Sequence, residues 1–320
     1  MEESTEKFKK VSFVTVTEQS EGQRIDNFLM RELGGVPRSF IYKILRKGEV
    51  RVDKKRVKPT RKLVLDEVVR IPPMRIEAKK EKPVANEKLL DQVQTAILLE
   101  DQDIILINKP AGLPVHGGSG YKLGLIEIFR QLRPNMPYVE LAHRLDKDTS
   151  GVIILAKTRK ALQELHKLFQ NGGIDKRYLT LVSGEWKGGE RHIQNELVKR
   201  SGTLEKMQVA DGGEGGKRAE SIFNPRKHFD GCTLMEVKLL TGRMHQIRTQ
   251  LANMKMPVLG DERYGDFPLN RHYKKTIGLK RLFLHSFYID FSLEFSGQRY
   301  HLEIPLADDL QQSLNKHLMS

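Results

Sequence analysis

The stretch His143-Arg-Leu-Asp-Lys-Asp-Thr-Ser-Gly151 constrains this chain more than any other. It is dense in charge, yet it lies between two apolar runs, Tyr138 to Leu141 and Val152 to Ala156. Short, β-branched, nearly uncharged segments of that kind read as strands buried in a core. Thr149-Ser150-Gly151 is turn chemistry. A polar loop hung between buried strands is a place where a rigid scaffold carries functional groups. On composition alone, a tight connection with solvated charges fits equally well.

The 320 residues suffice for a full core and two domains. Hydrophobic residues make up 38% of the chain and charged residues 30%, the balance of a globular protein with a heavily charged surface. No window approaches the run of about 18 apolar residues that a membrane span needs. Met1 to Lys10 lacks an apolar signal core, which argues against secretion. Cys232 is the single cysteine, so an internal disulfide framework and thiolate zinc clusters are excluded, and a reducing, cytoplasmic setting is expected. Its neighbours mark it as a small buried hydrophobe. The net charge of +14 favours a polyanionic partner. Nucleic acid is preferred to an anionic membrane, because no basic amphipathic helix with a Trp/Phe face is evident.

In chain order, residues 1–20 read as a tail, with Val11 to Val16 adding a short edge strand. Ile25, Phe28, Leu29 and Leu33 form one helical stripe, and Phe40, Ile41, Ile44 and Leu45 form a second, ended by Gly48. A hairpin follows over Val50 to Val57, then a strand over Glu67 to Ile71, stopped by Pro72-Pro73. Arg38, Lys43, Arg46, Lys47, Arg51, Lys54, Lys55 and Arg56, continued by Lys58, Arg61 and Lys62, crowd this unit with few interleaved acids. A solvated face normally mixes signs, so the run reads as a ridge for a phosphate backbone. Residues 74–93 are charged, broken by Pro83, and read as a linker. From residue 94 onward a single larger domain is expected.

That domain opens on a hairpin, Ile97 to Glu100 and Ile104 to Ile107, followed by the loop Asn108-Lys109-Pro-Ala-Gly-Leu-Pro-Val-His116. A helix over Lys160 to Gln170 ends at Asn171-Gly-Gly. Lys176 to Gly184 reads as a strand with Tyr178, Thr180 and Val182 on one side. A glycine-rich loop, Asp211 to Lys217, fails the phosphate-loop pattern at two positions. Strands at Leu234–Leu240 and Phe291–Phe295 bracket Thr241-Gly-Arg-Met-His-Gln-Ile-Arg248. No zinc-protease pair, nucleophile elbow or dinucleotide fingerprint occurs. What remains is a carboxylate among basic groups, able to act as nucleophile or electrostatic stabiliser, and by residue type Asp146 and Asp148 both qualify. A glycosidase pair is disfavoured, since two positions on one loop do not span a scissile bond.

Arg24-Ile-Asp-Asn-Phe-Leu followed by Arg38-Ser-Phe-Ile-Tyr-Lys-Ile-Leu-Arg-Lys-Gly-Glu-Val-Arg-Val-Asp53 resembles the S4 RNA-binding domain over residues 21–73. His143 to Gly151 resembles the signature of the RluA-type pseudouridine synthases. Asn108 to His116, Lys176-Arg-Tyr178, Thr241 to Arg248 and Gly260-Asp-Glu-Arg-Tyr-Gly265 are similar to further blocks of that family in the same order. Met244 departs from the threonine common there. The resemblance implies an α+β fold: a mixed, mainly antiparallel sheet with flanking helices over 94–320, behind a small S4-like front. It implies isomerisation of uridines in 23S ribosomal RNA at more than one site, by a monomer needing no cofactor or metal.

By the same likeness Asp146 is catalytic, attacking the ribose or the base or abstracting a sugar proton. Arg248 pairs with it, and Tyr178 stacks on or hydrogen-bonds the uracil. Arg144, Arg243, His245, His143 and Lys109 are expected around the substrate. Without the likeness, Arg248 reads as a surface charge on a helix and Tyr178 as an ordinary strand aromatic. Two rivals stay open: a non-catalytic RNA-binding assembly factor of the same fold, and a nucleotide or sugar hydrolase using Asp146 and Asp148.

Overall fold

A computed structural model describes residues 7–34, 36–76, 83–118, 120–200, 206–210 and 215–319. The start of the tail (1–6), the middle of the expected linker (77–82) and the glycine-rich residues 211–214 lie outside the described residues. The chain divides into two compact units, Met1–Val84 and Ala85–Ser320.

The first unit holds β1 (Lys7–Lys9), β2 (Ser12–Thr15), α1 (Ile25–Leu33), α2 (Arg38–Lys47), β3 (Arg51–Val52), β4 (Lys55–Arg56), β5 (Val68–Ile71) and β6 (Met74–Ile76). Both helical stripes turn inward, and Ile25, Phe28, Leu29, Ile41, Ile44 and Leu45 form one core with Val50, Val52, Leu63 and Val69. Gly48 ends α2 in the left-handed region at φ 71°, where its N–H bonds back to the helix as a C-cap. β2 is an edge strand in the order β2-β5-β3-β4, and β1 pairs with β6. β2 falls within the edge strand expected over Val11–Val16, whereas residues 7–9 and 74–76, expected as tail and linker, are paired strands. Their short length and high charge hide them, because a two-stranded ladder needs backbone partners more than apolar side chains.

The second unit is built from α3 (Glu87–Thr95), β7 (Ile97–Glu100), β8 (Ile104–Lys109), α4 (Leu125–Leu132), β9 (Glu140–Leu141), β10 (Ser150–Ala156), α5 (Arg159–Asn171), β11 (Asp175–Ser183), β12 (Arg191–Arg200), β13 (Lys206–Val209), β14 (Lys217–Phe229), β15 (Cys232–Leu239), α6 (Gln246–Asn253), α7 (Phe267–Thr276), β16 (Leu284–Leu293), β17 (Gln298–Glu303) and α8 (Asp308–Met319). Among the described residues, no helix is long and apolar enough to cross a membrane. α3 also occupies expected linker. Asn86 caps it by accepting the Leu89 N–H, and Leu89, Leu90 and the buried Val93 give it a stripe on the core.

The strands join one sheet in the order β13-β12-β14-β15-β11-β16-β10-β8-β7, with β17 on β16 and β9 on β10. Every pairing in it is antiparallel except β10 with β16. Two clusters cover its centre. Ile105, Ile107, Ile153 and Leu155 belong to one, and Ile104, Leu106, Val152 and Ile154 to the other. That alternation is the period-two pattern of strands buried on both faces.

β10 changes partner along its length. It meets β16 only at Ser150 and Gly151, then β9 at Leu155 and Ala156. Gly151 makes the first contact possible: its φ is 110°, and a Cβ there would lie 2.1 Å from the Ser286 carbonyl oxygen. The charged loop of residues 142–149 opens at this split in the sheet.

Candidate active site

Four segments meet beside the split: the loop before β10, the middle of β11, the turn into α6, and the turn at Gly260–Gly265. The first three line a cavity of about 430 Å³ that includes Asp146, Lys176, Tyr178, Arg243, His245 and Arg248, while the turn at Gly260–Gly265 stands behind Arg248 through Asp261. That volume lies within the range of small-ligand sites. A second, open groove shares Arg144, Asp146, His245 and Arg248 and runs past Lys147, Arg263, Lys280 and Arg281. Asp146 stands where the two join.

The Asp146 carboxylate accepts a 2.9 Å hydrogen bond from Arg248 Nη1. Arg248 is itself buried and gripped from behind by Asp261, with Nε to Oδ2 at 2.7 Å and Nη2 to Oδ1 at 2.8 Å. Burial opposes the arginine's charge, but the two carboxylates override it and raise its pKa further. Burial would likewise raise Asp261. Its bidentate pairing with Arg248 and two backbone N–H bonds instead hold it below the usual carboxylate range. The guanidinium is thus a fixed cation aimed at Asp146.

His245 flanks the pair from a left-handed conformation at φ 54°. Its Nδ1 is 2.8 Å from the Tyr264 hydroxyl and its Nε2 is 3.8 Å from Asp146. Burial depresses its pKa, partly offset by Asp146. Tyr178 projects from β11 into the cavity, where burial pushes its phenol up to about 12. A tyrosine in such a setting stays protonated and offers a flat ring plus a donor.

The other expected residues separate into two kinds. Arg144 and Arg243 are exposed at the cavity rim. Arg243 Nε bonds the Arg218 carbonyl at 2.9 Å, which ties the turn to β14. His143 lines both cavities and also braces the scaffold, whereas Lys109 serves the scaffold alone. Where β10 lies between its two partners, the Ile154 N–H has no strand carbonyl and donates to His143 Nε2 at 3.0 Å. The imidazole also packs on Phe169, with centroids 4.8 Å apart. Lys109 is fully buried and borders neither cavity. Its ammonium donates to the carbonyls of Pro110, Leu113 and Lys147 at 2.8–3.0 Å, pinning its own loop to the one carrying Asp146. Burial lowers its pKa to about 7. The expectation that Lys109 touches substrate is corrected: three carbonyls at the right spacing occupy all its donors.

Asp148 diverges from Asp146. It is exposed and 3.9 Å from Lys147, so the loop presents one carboxylate to the cavity. Sequence reasoning missed Asp261, Tyr264 and Lys176. The signal was there in Gly260-Asp-Glu-Arg-Tyr-Gly265 and Lys176-Arg-Tyr178, but a charge's partner is not written beside it.

His143 carries a consequence for pH. Burial, with the Lys176 charge adding to it, holds its native pKa near 3, against about 6.5 when unfolded. The unfolded chain takes up a proton below pH 6.5 that the native state refuses, so this stability is complete above 6.5 and is lost as pH falls toward 3. Urea unfolding between pH 7 and 4.5 is expected to steepen less in His143→Gln, which keeps an acceptor without the titration. Equal slopes in the two proteins would refute the assignment.

This charged loop, set where a mixed sheet splits, lies in a chain that belongs to the pseudouridine synthases. A family model described as RNA pseudouridylate synthase matches residues 103–253, and an S4 domain model matches residues 23–69. More narrowly, the chain belongs to the family of the ribosomal large subunit pseudouridine synthases C. It is 42% identical to the protein of that name from Escherichia coli strain K12 over 311 residues, 96% of each chain. It is 39% identical to that of Pasteurella multocida, covering 95% of this chain and 93% of the other. In solved structures, the fold is similar to human RNA pseudouridylate synthase domain containing 4. The TM-score is 0.61 at 23% identity, covering 72% of this chain and 96% of that one. Human RNA pseudouridylate synthase domain containing 1 gives a TM-score of 0.57 at 22% identity, covering 70% and 85%.

Proposed function

We propose that the chain converts specific uridines of 23S ribosomal RNA to pseudouridine at more than one site, with Asp146 as the group that acts on the nucleoside. The observation that carries this reading is the 2.9 Å pair of Asp146 with Arg248 at the mouth of the cavity. Pseudouridine formation breaks the C1′–N1 bond of uridine, turns the base and rejoins it through C5. Atoms are conserved, so the chemistry needs a positioned anion and a closed pocket rather than a cofactor. Whether Asp146 attacks the sugar or the base or removes a sugar proton, it must be ionised, and Arg248 favours that form.

Tyr178 supplies a ring face and a hydroxyl for uracil. Arg144 and Arg243 stand at the rim, where the flanking nucleotides pass once the target base has left its stack, and His245 lies inside beside Asp146. In the S4-like unit, assigned to residues 21–73, Arg38, Lys43, Arg46, Lys47, Arg51, Lys54, Lys55 and Arg56 are all exposed. Asp53 and Lys54 turn the β3–β4 hairpin through the left-handed region and present it as a basic tip. Arg61, which continues the run, is instead paired with Glu67. This ridge gives sequence-independent affinity for RNA phosphates. The enzyme is taken to act as a monomer in the cytoplasm.

The direct test is a pseudouridine map of 23S rRNA from Escherichia coli lacking its own synthase C, with and without this chain supplied. New pseudouridines at a small set of positions are expected. Bound rRNA without new pseudouridine would make the protein an assembly factor, and release of free uracil would make it a hydrolase.

A further inference from the structure

Lys176 is a buried cation in the cavity whose chemistry the proposed function does not use. It precedes Tyr178 by two positions on β11, so the strand's alternation sends both side chains to the same face, and both line the cavity. The residue is 8% exposed. Its ammonium lies 4.8 Å from the Phe169 ring centroid and beside Gly242, where a Cβ would come within 3.7 Å of Nζ. It makes no hydrogen bond or ion pair with any described residue, and burial alone pulls its pKa down to about 8. Buried lysines are normally paired, as Lys109 is by three carbonyls. A buried cation whose described partner is the Phe169 ring, with no hydrogen-bond acceptor for its three N–H groups, points to a group bound in the cavity that completes it.

We propose that Lys176 contacts a carbonyl oxygen of the target uracil and stabilises the negative charge that the ring carries once its C1′–N1 bond breaks. This rests on the reading of the cavity as the uridine site. In heterolysis the bonding pair leaves with N1, and the detached ring spreads that charge over its two carbonyl oxygens. After rotation, C5 supplies the pair for the new bond to C1′, which cleavage left short of a pair; the C5 proton passes to solvent and N1 takes one proton from solvent, so protons and electrons balance. Lys176 transfers no proton in this sequence. It acts as a preorganised donor in a water-poor site, where such a group is worth most. A phosphate is the weaker candidate, because the ammonium sits inside the cavity and the rim already carries Arg144 and Arg243.

The test compares wild type with Lys176→Met, which fills similar space against Phe169, in single-turnover reactions on RNA whose target is uridine or 5-fluorouridine. Wild type must first form pseudouridine. If it does not, the parent reading fails and this one with it. Loss of a single such donor costs about 10²–10³-fold in rate, and that loss is expected on uridine with RNA affinity changed less than about threefold. The 5-fluorouracil anion is more stable, so cleavage of its glycosidic bond is expected to lose at least tenfold less. Removing an unpaired buried cation is also expected to leave the melting temperature equal or higher. Lys176→Arg, which keeps the charge, is expected to recover part of the rate. Equal losses on the two RNAs, or a variant both slower and less stable, would assign Lys176 to the scaffold. Weakened RNA binding with a reduced salt slope would assign it to phosphate.

Discussion

Asp146→Asn is expected to reduce pseudouridine formation by about 10⁴-fold or more, with RNA affinity within about threefold of wild type. Asparagine keeps the shape of the carboxylate and can still accept from Arg248, so the loop should hold its path. It cannot be a base or a nucleophile, and no other carboxylate of that loop faces the cavity, since Asp148 points to solvent. Stability should change little, because Arg248 keeps its bidentate partner Asp261. The measurement is twofold: the pseudouridine fraction at each target by single-turnover assay, and the dissociation constant of the same RNA by filter binding. Near-full activity in this variant would remove Asp146 from the chemistry. Equal loss of binding and rate would instead mean that the loop itself had been disturbed.

The same loop shows what a sequence displays and what it conceals. A polar stretch between apolar runs is conspicuous, because its neighbours leave no other way to place the charges than at an opening in the sheet. α1, α2 and the basic hairpin were legible for a related reason: their contacts are local, and Gly48 marks a helix end by chemistry any reader can see. Asp146 and Arg248, 102 residues apart, meet only because β11 lies between β15 and β16, an order no local pattern encodes. Residue type also says nothing about burial. Lys109 and His143 were grouped with the substrate because they are cationic or titratable. The surroundings of Lys109 instead use it as a three-way clamp on carbonyls, while His143 lines the cavity and also stands in for a missing strand. For Lys176 the limit is the opposite one: alternation sets it on the face of Tyr178, but nothing in Lys-Arg-Tyr reveals that this face is buried and lines a cavity.

Asp261 is where these limits matter most, and its removal should have the largest effect on the fold. Its side chain is fully buried and its two oxygens each take one Arg248 donor. Oδ1 also accepts the N–H groups of Arg263 and Tyr264 at 2.8 and 3.0 Å. In Asp261→Ala the guanidinium keeps only Asp146, and two N–H groups of the turn lose their acceptor. Breaking a buried pair from one side costs about 3–5 kcal/mol, against about 0–1 for a surface pair. For a unit of this size each kcal/mol is about 2–4 °C, so a fall in melting temperature on the order of 10 °C is expected. Acid behaviour should change in a defined sense. The Arg248 guanidinium holds the native pKa of Asp261 below the ordinary aspartate range, so its contribution is complete above that range and is lost as pH falls through the native value. The alanine variant lacks that part of the acid limb. Activity should fall as well, by about 10²–10³-fold, through kcat rather than KM, because Arg248 would no longer be held against Asp146. Asp261→Asn keeps an acceptor for the turn and loses the charge, and should fall between the two. Wild-type melting combined with lost activity would place Asp261 in direct contact with substrate. Lost stability with unchanged kcat would free Asp146 from any dependence on how firmly its arginine is held.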